Sequence, residues 1–301
     1  MSVILETKQL SKVFGQQKAV DGASISVHQG DIYGLIGRNG AGKTTLMRMI
    51  AGLAHPTQGS YHFYNEQGQE ALPEPGQISN LIENTGIYPG MKAADQLLLK
   101  GQSLGLKGDA YVKEILDMVG LSQVGKKPVK SFSMGMKQRL GLGLAMVGNP
   151  RLIILDEPIN GLDPQGIAEV RNLITYLNKE FKVTFIISSH ILDELSRIAN
   201  RFAIIDHGQI LQELDHETFE DKSRDRIEIR VDRTDVALEA LAELGYSKVQ
   251  QVSPNDIHIY ASYEDTGRIV LGLVRKGLEI KGFTLHRNSL EEYYLALTGQ
   301  H

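Results

Sequence analysis

The chain has 301 residues, 42% of them hydrophobic and 23% charged, with a formal net charge of −4 and no cysteine. That length predicts two cores of unequal size, the mild acidity excludes a global pull toward nucleic acid or anionic lipid, and the missing thiols exclude disulfides and thiolate chemistry. No apolar run approaches the roughly 18 residues of a membrane-spanning helix, and the opening MSVILETKQL lacks a basic segment followed by an apolar block, so no secretion signal is expected and the chain reads as cytosolic.

In chain order, DIYGLIG (31–37) is an apolar strand that breaks into glycines, and KTTLMRMIAGL (43–53) has helical spacing. Between about residues 91 and 148, ADQLLLKGQSLGL, AYVKEILDMVGL and MKQRLGLGLAMVG all carry a helical period. They predict a helical subdomain inserted into a sheet domain. RLIILDEP (151–158) and KVTFIISSH (182–190) are buried strands, each followed by a helical pattern, QGIAEVRNLITYLNKE and ILDELSRIAN. Strands this apolar, separated by helices, predict a mainly parallel α/β sheet covered on both faces.

Past Leu214 the charged DHETFEDKSRDR (215–226) reads as an exposed boundary, so the expected domains are 1–215 and 216–301. RIEIRV, TDVALEALAELG, SKVQQV, DIHIYA, DTGRIVLGLVRKG and EIKGFTLHR follow in the order βαββαβ, and SLEEYYLALTG adds a terminal helix. That order predicts a small α+β ferredoxin-like domain, with turns at Pro254 and Asn255 and at Lys276 and Gly277. Its terminal helix places Leu290, Tyr294 and Leu297 on one apolar face, suited either to stabilising a dimer or to covering the small sheet. Nothing in this tail resembles a catalytic constellation.

GRNGAGKT (37–44) fits the pattern G-x-x-x-x-G-K-[ST] and stands where that pattern requires, after a strand and at the mouth of a helix. Glycines at 37, 40 and 42 let successive amides face one anion, and the helix N-terminus adds a favourable field. The candidate nucleotide-binding set is Gly37, Arg38, Asn39, Gly40, Ala41, Gly42, Lys43, Thr44 and Thr45. Lys43 would reach the β and γ phosphates, and the Thr44 hydroxyl would bind Mg²⁺.

Asp156 and Glu157 end the apolar RLIIL strand. Burying two carboxylates there costs several kcal/mol each unless a cation or hydrogen bonds compensate. Asp156 is therefore expected to hold Mg²⁺ through water, and Glu157 to polarise the water that attacks the γ phosphate. His190, in ISSH, closes a strand expected to open on the same rim, and is assigned a contact with that phosphate.

GRNGAGKT, FSMGMKQR, LIILDEP, NGLD and SSH, in that order and spacing, resemble the nucleotide-binding subunit of an ATP-binding cassette (ABC) transporter over residues 1 to about 215. The resemblance implies a P-loop NTPase of RecA-like fold with ATP and Mg²⁺ as ligands. It implies that Ser133 and Gly135 bind the γ phosphate of ATP held by a second subunit, that Phe14 stacks on adenine, and that Asn160, Gly161, Leu162 and Asp163 form a loop communicating between the two sites. Ser133 is also a good helix cap, and the helix after it points its positive end at an anion.

Departures from the family pattern are local. Met134 and Met136 stand where the family has glycine and glutamine, and a thioether cannot replace the amide contacts. Glu83, in ISNLIENTGIYPG, stands where the family carries a metal-contacting glutamine. A carboxylate there still binds a cation, with added pH sensitivity. These departures and the ending SLEEYYLALTG resemble the subgroup serving bacitracin-resistance and lantibiotic-immunity exporters.

The implied partners are a membrane-spanning subunit, whose short helix would enter a groove near Glu83 to Gly90 beside Tyr88 and Met91, and a second ATPase subunit, identical or paired. No nucleic-acid partner is expected, since KKPVK (126–130), the one compact basic cluster, reads as a solvated face. A soluble ABC ATPase acting on ribosomes or DNA is the alternative, but the chain has neither a second cassette nor a long coiled coil. A small-molecule kinase or GTPase would share only the P-loop and leave FSMGMKQR and SSH without a role.

Overall fold

A computed structural model describes residues 2–82, 86–125, 127–222, 226–286 and 290–299. The chain forms two compact units, residues 1–216 and 217–301.

The first unit opens with β1 (Val3–Phe14), β2 (Gln17–Ala23) and β3 (Ser26–His28), then enters β4 (Ile32–Ile36), helix α1 (Lys43–Ile50), β5 (Gln58–Phe63) and β6 (Ile78–Leu81). β1 pairs antiparallel with β2, β3 and β5 to make a four-stranded sheet. Sequence reading did not foresee this layer. Its longest strand mixes buried residues such as Leu5 and Leu10 with exposed polar ones such as Lys8 and Gln9, so it lacks the continuous apolar run that marks β4.

Three helices follow, α2 (Ala93–Ser103), α3 (Ala110–Met118) and α4 (Met134–Met146), with no intervening strand among the described residues. A Cβ at Gly101 would overlap the Tyr111 hydroxyl, so glycine in α2 makes room for this side chain of α3. That hydroxyl donates to the carbonyls of Leu97 and Leu98 at 3.4 and 3.3 Å.

The remainder of the unit is β7 (Leu152–Asp156), α5 (Pro164–Phe181), β8 (Thr184–Ser189), α6 (Leu192–Ser196), β9 (Arg201–Asp206) and β10 (Gln209–Asp215). The six-stranded sheet runs β10-β9-β4-β8-β7-β6, parallel throughout except for β10 on β9. Pairing aligns Ile36 with Ser189 and Asp156 with Ser188, so β4, β7 and β8 end on one rim. The core beneath joins Leu5 and Val27 of the antiparallel sheet, Leu46, Met47 and Ile50 of α1, and Tyr33, Ile154 and Ile186 of the parallel sheet. Each such side chain contributes about 1.5–3 kcal/mol by leaving water.

The helix expected across ILDELSRIAN is shorter than its pattern, ending at Ser196. Asn200 bonds Asp31 Oδ1 at 3.0 Å and accepts the Ile32 N–H at 2.9 Å. That pins the chain to the base of β4 and forces it extended into β9.

Helix α7 (His216–Lys222) carries the chain onward to β11 (Arg226–Val231), α8 (Thr234–Glu243), β12 (Val249–Gln251), β13 (Asp256–Ile259), α9 (Thr266–Arg275), β14 (Ile280–His286) and α10 (Leu290–Leu297). The sheet order is β12-β13-β11-β14, all antiparallel, which is the ferredoxin-like arrangement. Ile227, Ile229, Val231, Ile257 and Ile259 meet Leu241, Ile269 and Leu273 of α8 and α9 in a core of their own. On the other face of the sheet, Arg230 holds Asp256 at 2.7 and 3.4 Å.

Candidate nucleotide site

The loop between β4 and α1 is shaped by glycine. Gly42 caps α1 at φ 108° without a side-chain cap, and a Cβ there would stand 2.5 Å from the Ala19 carbonyl. The loop is thus pressed against β2, which only glycine permits. The first amides of α1 stay oriented along its axis, the geometry that binds anions. Arg38, Asn39 and Gly40 form the exposed crest, while Gly37, Ala41 and Lys43 are buried. Lys43 Nζ donates to the Gly37 carbonyl at 2.5 Å and the Arg38 carbonyl at 3.2 Å. Thr45 follows Thr44 in the first turn of α1.

Across the rim, the carboxylates divide their contacts. Thr44 Oγ1 donates to Asp156 Oδ2 at 2.7 Å. Glu157 Oε1 lies 3.2 Å from Lys43 Nζ, an ion pair whose carboxylate oxygen is buried and accepts no hydrogen bond. The other oxygen, Oε2, is 2.7 Å from His190 Nδ1. Glu157 has φ 49°, a left-handed conformation for a residue with a Cβ, at a cost on the order of 1–3 kcal/mol. The fold therefore brings the P-loop lysine, both carboxylates and His190 into one cluster. Sequence reading missed Ser188, whose hydroxyl donates to Asp156 Oδ1 at 2.6 Å and accepts the Glu157 N–H at 2.9 Å. Its only signal was a polar pair closing the otherwise apolar VTFIISS run.

Ser133 caps α4, accepting the Met136 N–H at 3.2 Å. It lines a depression of about 480 Å³ together with Met134, Gly135, Gly161, Asp163 and Gly166, and no residue from 37 to 45 is among the lining. This depression is separate from the phosphate loop. Met134 is exposed, and its Cε would lie 3.4 Å from a Cβ at Gly161, so a thioether bridges the Ser133–Gly135 turn and the NGLD loop. Asp163 caps α5 by accepting the Gly166 N–H at 3.1 Å. Its carboxylate orders the loop it ends.

Phe14 is 55% exposed at the tip of the β1–β2 hairpin, with Lys12 Nζ 5.0 Å from its ring centroid. Lys12 is held by the His55 carbonyl at 2.7 Å. A separate groove of about 570 Å³ is lined by Asn80, Tyr88, Gln96, Leu99, Lys100 and Leu144. Buried Gln96 fixes the Tyr88 backbone, accepting its N–H at 2.9 Å and donating to its carbonyl at 3.0 Å. Glu83, expected at the metal, lies outside the described residues.

The family model described as "ABC transporter" matches residues 20–160. The bacitracin transport ATP-binding protein BcrA of Bacillus licheniformis is 38% identical over 303 residues, covering 99% of this chain and 98% of that protein. The lantibiotic transport ATP-binding protein SrtF of Streptococcus pyogenes is 37% identical over 215 residues, covering 71% of this chain and 92% of its own length. Among solved structures, the ADP conformation of MJ1267, an ATP-binding cassette of an ABC transporter, superposes with TM-score 0.64 at 28% identity, covering 71% of this chain and 92% of that one. The chain belongs to the ATP-binding subunits of ABC transporters and is an ATPase.

Proposed function

We propose that two copies of this chain, or this chain and a paired subunit, clamp ATP between them and drive a separate membrane-spanning subunit that exports an antimicrobial peptide or similar hydrophobic compound. The observation that carries the ATPase mechanism is the cluster of Lys43, Glu157 and His190 at the mouth of α1. The exported class rests on full-length similarity to a bacitracin transport protein. Among the described residues no helix is long and apolar enough to cross a membrane. In this reading the chain works at the inner face of the plasma membrane through its membrane-spanning partner.

The amides of Gly40 to Thr45 bind the phosphates, and Lys43 turns its ammonium to the β and γ groups. Thr44 Oγ1 and Asp156 Oδ2 are hard oxygen donors 2.7 Å apart, a set that suits Mg²⁺. Bound with the nucleotide, Mg²⁺ would supply neutralisation of the phosphate charge. Glu157 Oε1, buried and without a hydrogen bond, is the acceptor for the proton of the attacking water. His190 holds the opposite oxygen, which fixes the carboxylate plane and places the imidazole beside the γ phosphate. Phe14 stacks on adenine, worth roughly 1 kcal/mol beyond its buried area. Ser133 and Gly135 act on the nucleotide of the other subunit, a role supported by a depression whose lining holds none of residues 37–45.

The groove floored by Asn80 and Leu144 takes a short apolar helix of the membrane subunit, with Tyr88 and Leu99 exposed to meet it. Affinity purification of the full chain from detergent extract tests this reading. A polytopic membrane protein as the main partner supports it. Ribosomal proteins or nucleic acid as the main partner would refute it. Substituting Tyr88 and Leu99 by Asp should release that partner while leaving ATP binding intact.

A further inference from the structure

The last ladder pair of β7 and β8 sets Asp156 beside Ser188. Past it the chain turns left-handed at Glu157, and the Glu157 N–H goes to a side chain of β8. The Ser188 hydroxyl takes that N–H at 2.9 Å and gives its own proton to Asp156 Oδ1 at 2.6 Å. The assignment of donor and acceptor is unambiguous, because an amide only donates and a carboxylate only accepts. Ser188 is fully buried, so bulk water does not compete for either bond. Thr44 occupies the other oxygen of Asp156, which leaves that carboxylate clamped from the P-loop on one side and from β8 on the other. Its neighbour Ser189 points the opposite way, accepting the Ile191 N–H at 2.9 Å, and takes no part.

One hydroxyl therefore fixes two groups with different tasks. We infer that Ser188 is a positioning residue for hydrolysis, setting the carboxylate plane of Asp156 and the left-handed backbone that aims Glu157 between Lys43 and His190. The inference rests on the reading of Asp156 as the metal-side carboxylate and Glu157 as the base. Without the hydroxyl, Glu157 can relax toward an extended backbone and swing its carboxylate off the line of attack. ATP would still bind through the phosphate loop, which Ser188 does not touch.

Steady-state ATPase kinetics of the full chain, with Mg²⁺ titrations, should be measured for Ser188→Ala and Ser188→Thr in the native and Glu157→Gln backgrounds. Mg·ADP binding on the same samples reports folding. For Ser188→Ala the expected result is at least a tenfold loss of kcat with KM for ATP within about threefold, and a several-fold rise in the Mg²⁺ concentration giving half-maximal rate. Ser188→Thr, which keeps the hydroxyl, should recover at least a third of the native kcat. On the slow residual turnover of Glu157→Gln, Ser188→Ala should add less than a twofold loss, because its main target is already gone. Native turnover and Mg²⁺ dependence in Ser188→Ala, alongside an inactive Glu157→Gln, would overturn the role of Ser188 alone. The same loss in both backgrounds would overturn it too, as would a Thr variant as impaired as the Ala variant. Native turnover in Glu157→Gln would overturn the base assignment and this inference with it.

Discussion

Glu157 sits at a backbone angle that its side chain resists, and the contacts around it show why the angle persists. Lys43, His190 and Ser188 each hold one part of the residue. Strain of this kind is retained where neighbours over-determine a functional geometry. Glu157→Gln keeps the shape and removes the proposed proton acceptor, so turnover should fall by about 10²–10⁴-fold with ATP binding retained. Fluorescent-nucleotide titration beside phosphate release separates the two quantities. Lys43→Ala, by contrast, should abolish phosphate binding itself, which the same titration reads. The residue types of this cluster were legible in the sequence because GRNGAGKT and LIILDEP are spaced chemistry. Ser188 and the left-handed turn were not. Both depend on which strand lies beside which, and a single buried serine carries no local signature.

A third residue-scale expectation concerns Lys12, which faces the Phe14 ring at 5.0 Å. A cation on an exposed ring contributes about 0.5–1 kcal/mol, so Lys12→Met should loosen the ring and raise KM for ATP by roughly two- to fivefold at constant kcat.

At the scale of elements, caps and sheet edges decide where the chemistry stands. Asp163 ends the NGLD loop and starts α5 with one hydrogen bond. Asp163→Ala should cost about 1 kcal/mol, lowering Tm by about 2–4 °C for a domain of this size, as scanning calorimetry would show. β4 is tied to β10 by the Tyr33 hydroxyl, which donates to Glu213 Oε1 at 2.5 Å. Burial, then the Glu213 charge and hydrogen bond, push the Tyr33 phenol well above its ordinary value. Folding therefore retains the proton. The contribution is complete below the unfolded phenol value of about 10 and is lost as pH rises toward the folded one. Urea unfolding from pH 8 to 11 should show the native chain losing stability steeply at the alkaline end, and Tyr33→Phe losing less.

The parallel strands were readable because burial on both faces makes them continuously apolar. The antiparallel layer of β1, β2, β3 and β5 was not, since strands buried on one face mix with loop-like polar residues. Helix α6 was over-extended for a related reason. Its apolar period continues through Ile198, but Asn200 is bound to Asp31 and Ile32 in another strand, a restraint that periodicity cannot show.

For the whole molecule, two separate cores predict two melting transitions. Ligand at 100 times its Kd adds about 2.7 kcal/mol to the unit that binds it. ATP with Mg²⁺ should raise the transition of residues 1–216 and leave that of residues 217–301 in place. The βαββαβ order of the second unit was plain in its alternating periods, whereas its role was not, because it carries no spaced chemistry. We propose that it stabilises the paired ATPase, and truncation after Asp215 with unchanged ATP-dependent pairing would reject that role.

We propose that pairing completes the nucleotide site. Ser133 and Gly135 line a depression with the NGLD loop whose lining includes none of residues 37–45, which supports the proposal that each turn serves the nucleotide of another chain. Light scattering of purified Glu157→Gln with ATP and Mg²⁺ measures this most directly. We expect the mass to double from 33.3 kDa to about 67 kDa, and Ser133→Arg to hold it at one chain. A species that stays at one chain with ATP bound, while the native protein hydrolyses ATP at a rate per chain independent of concentration, would contradict the composite site.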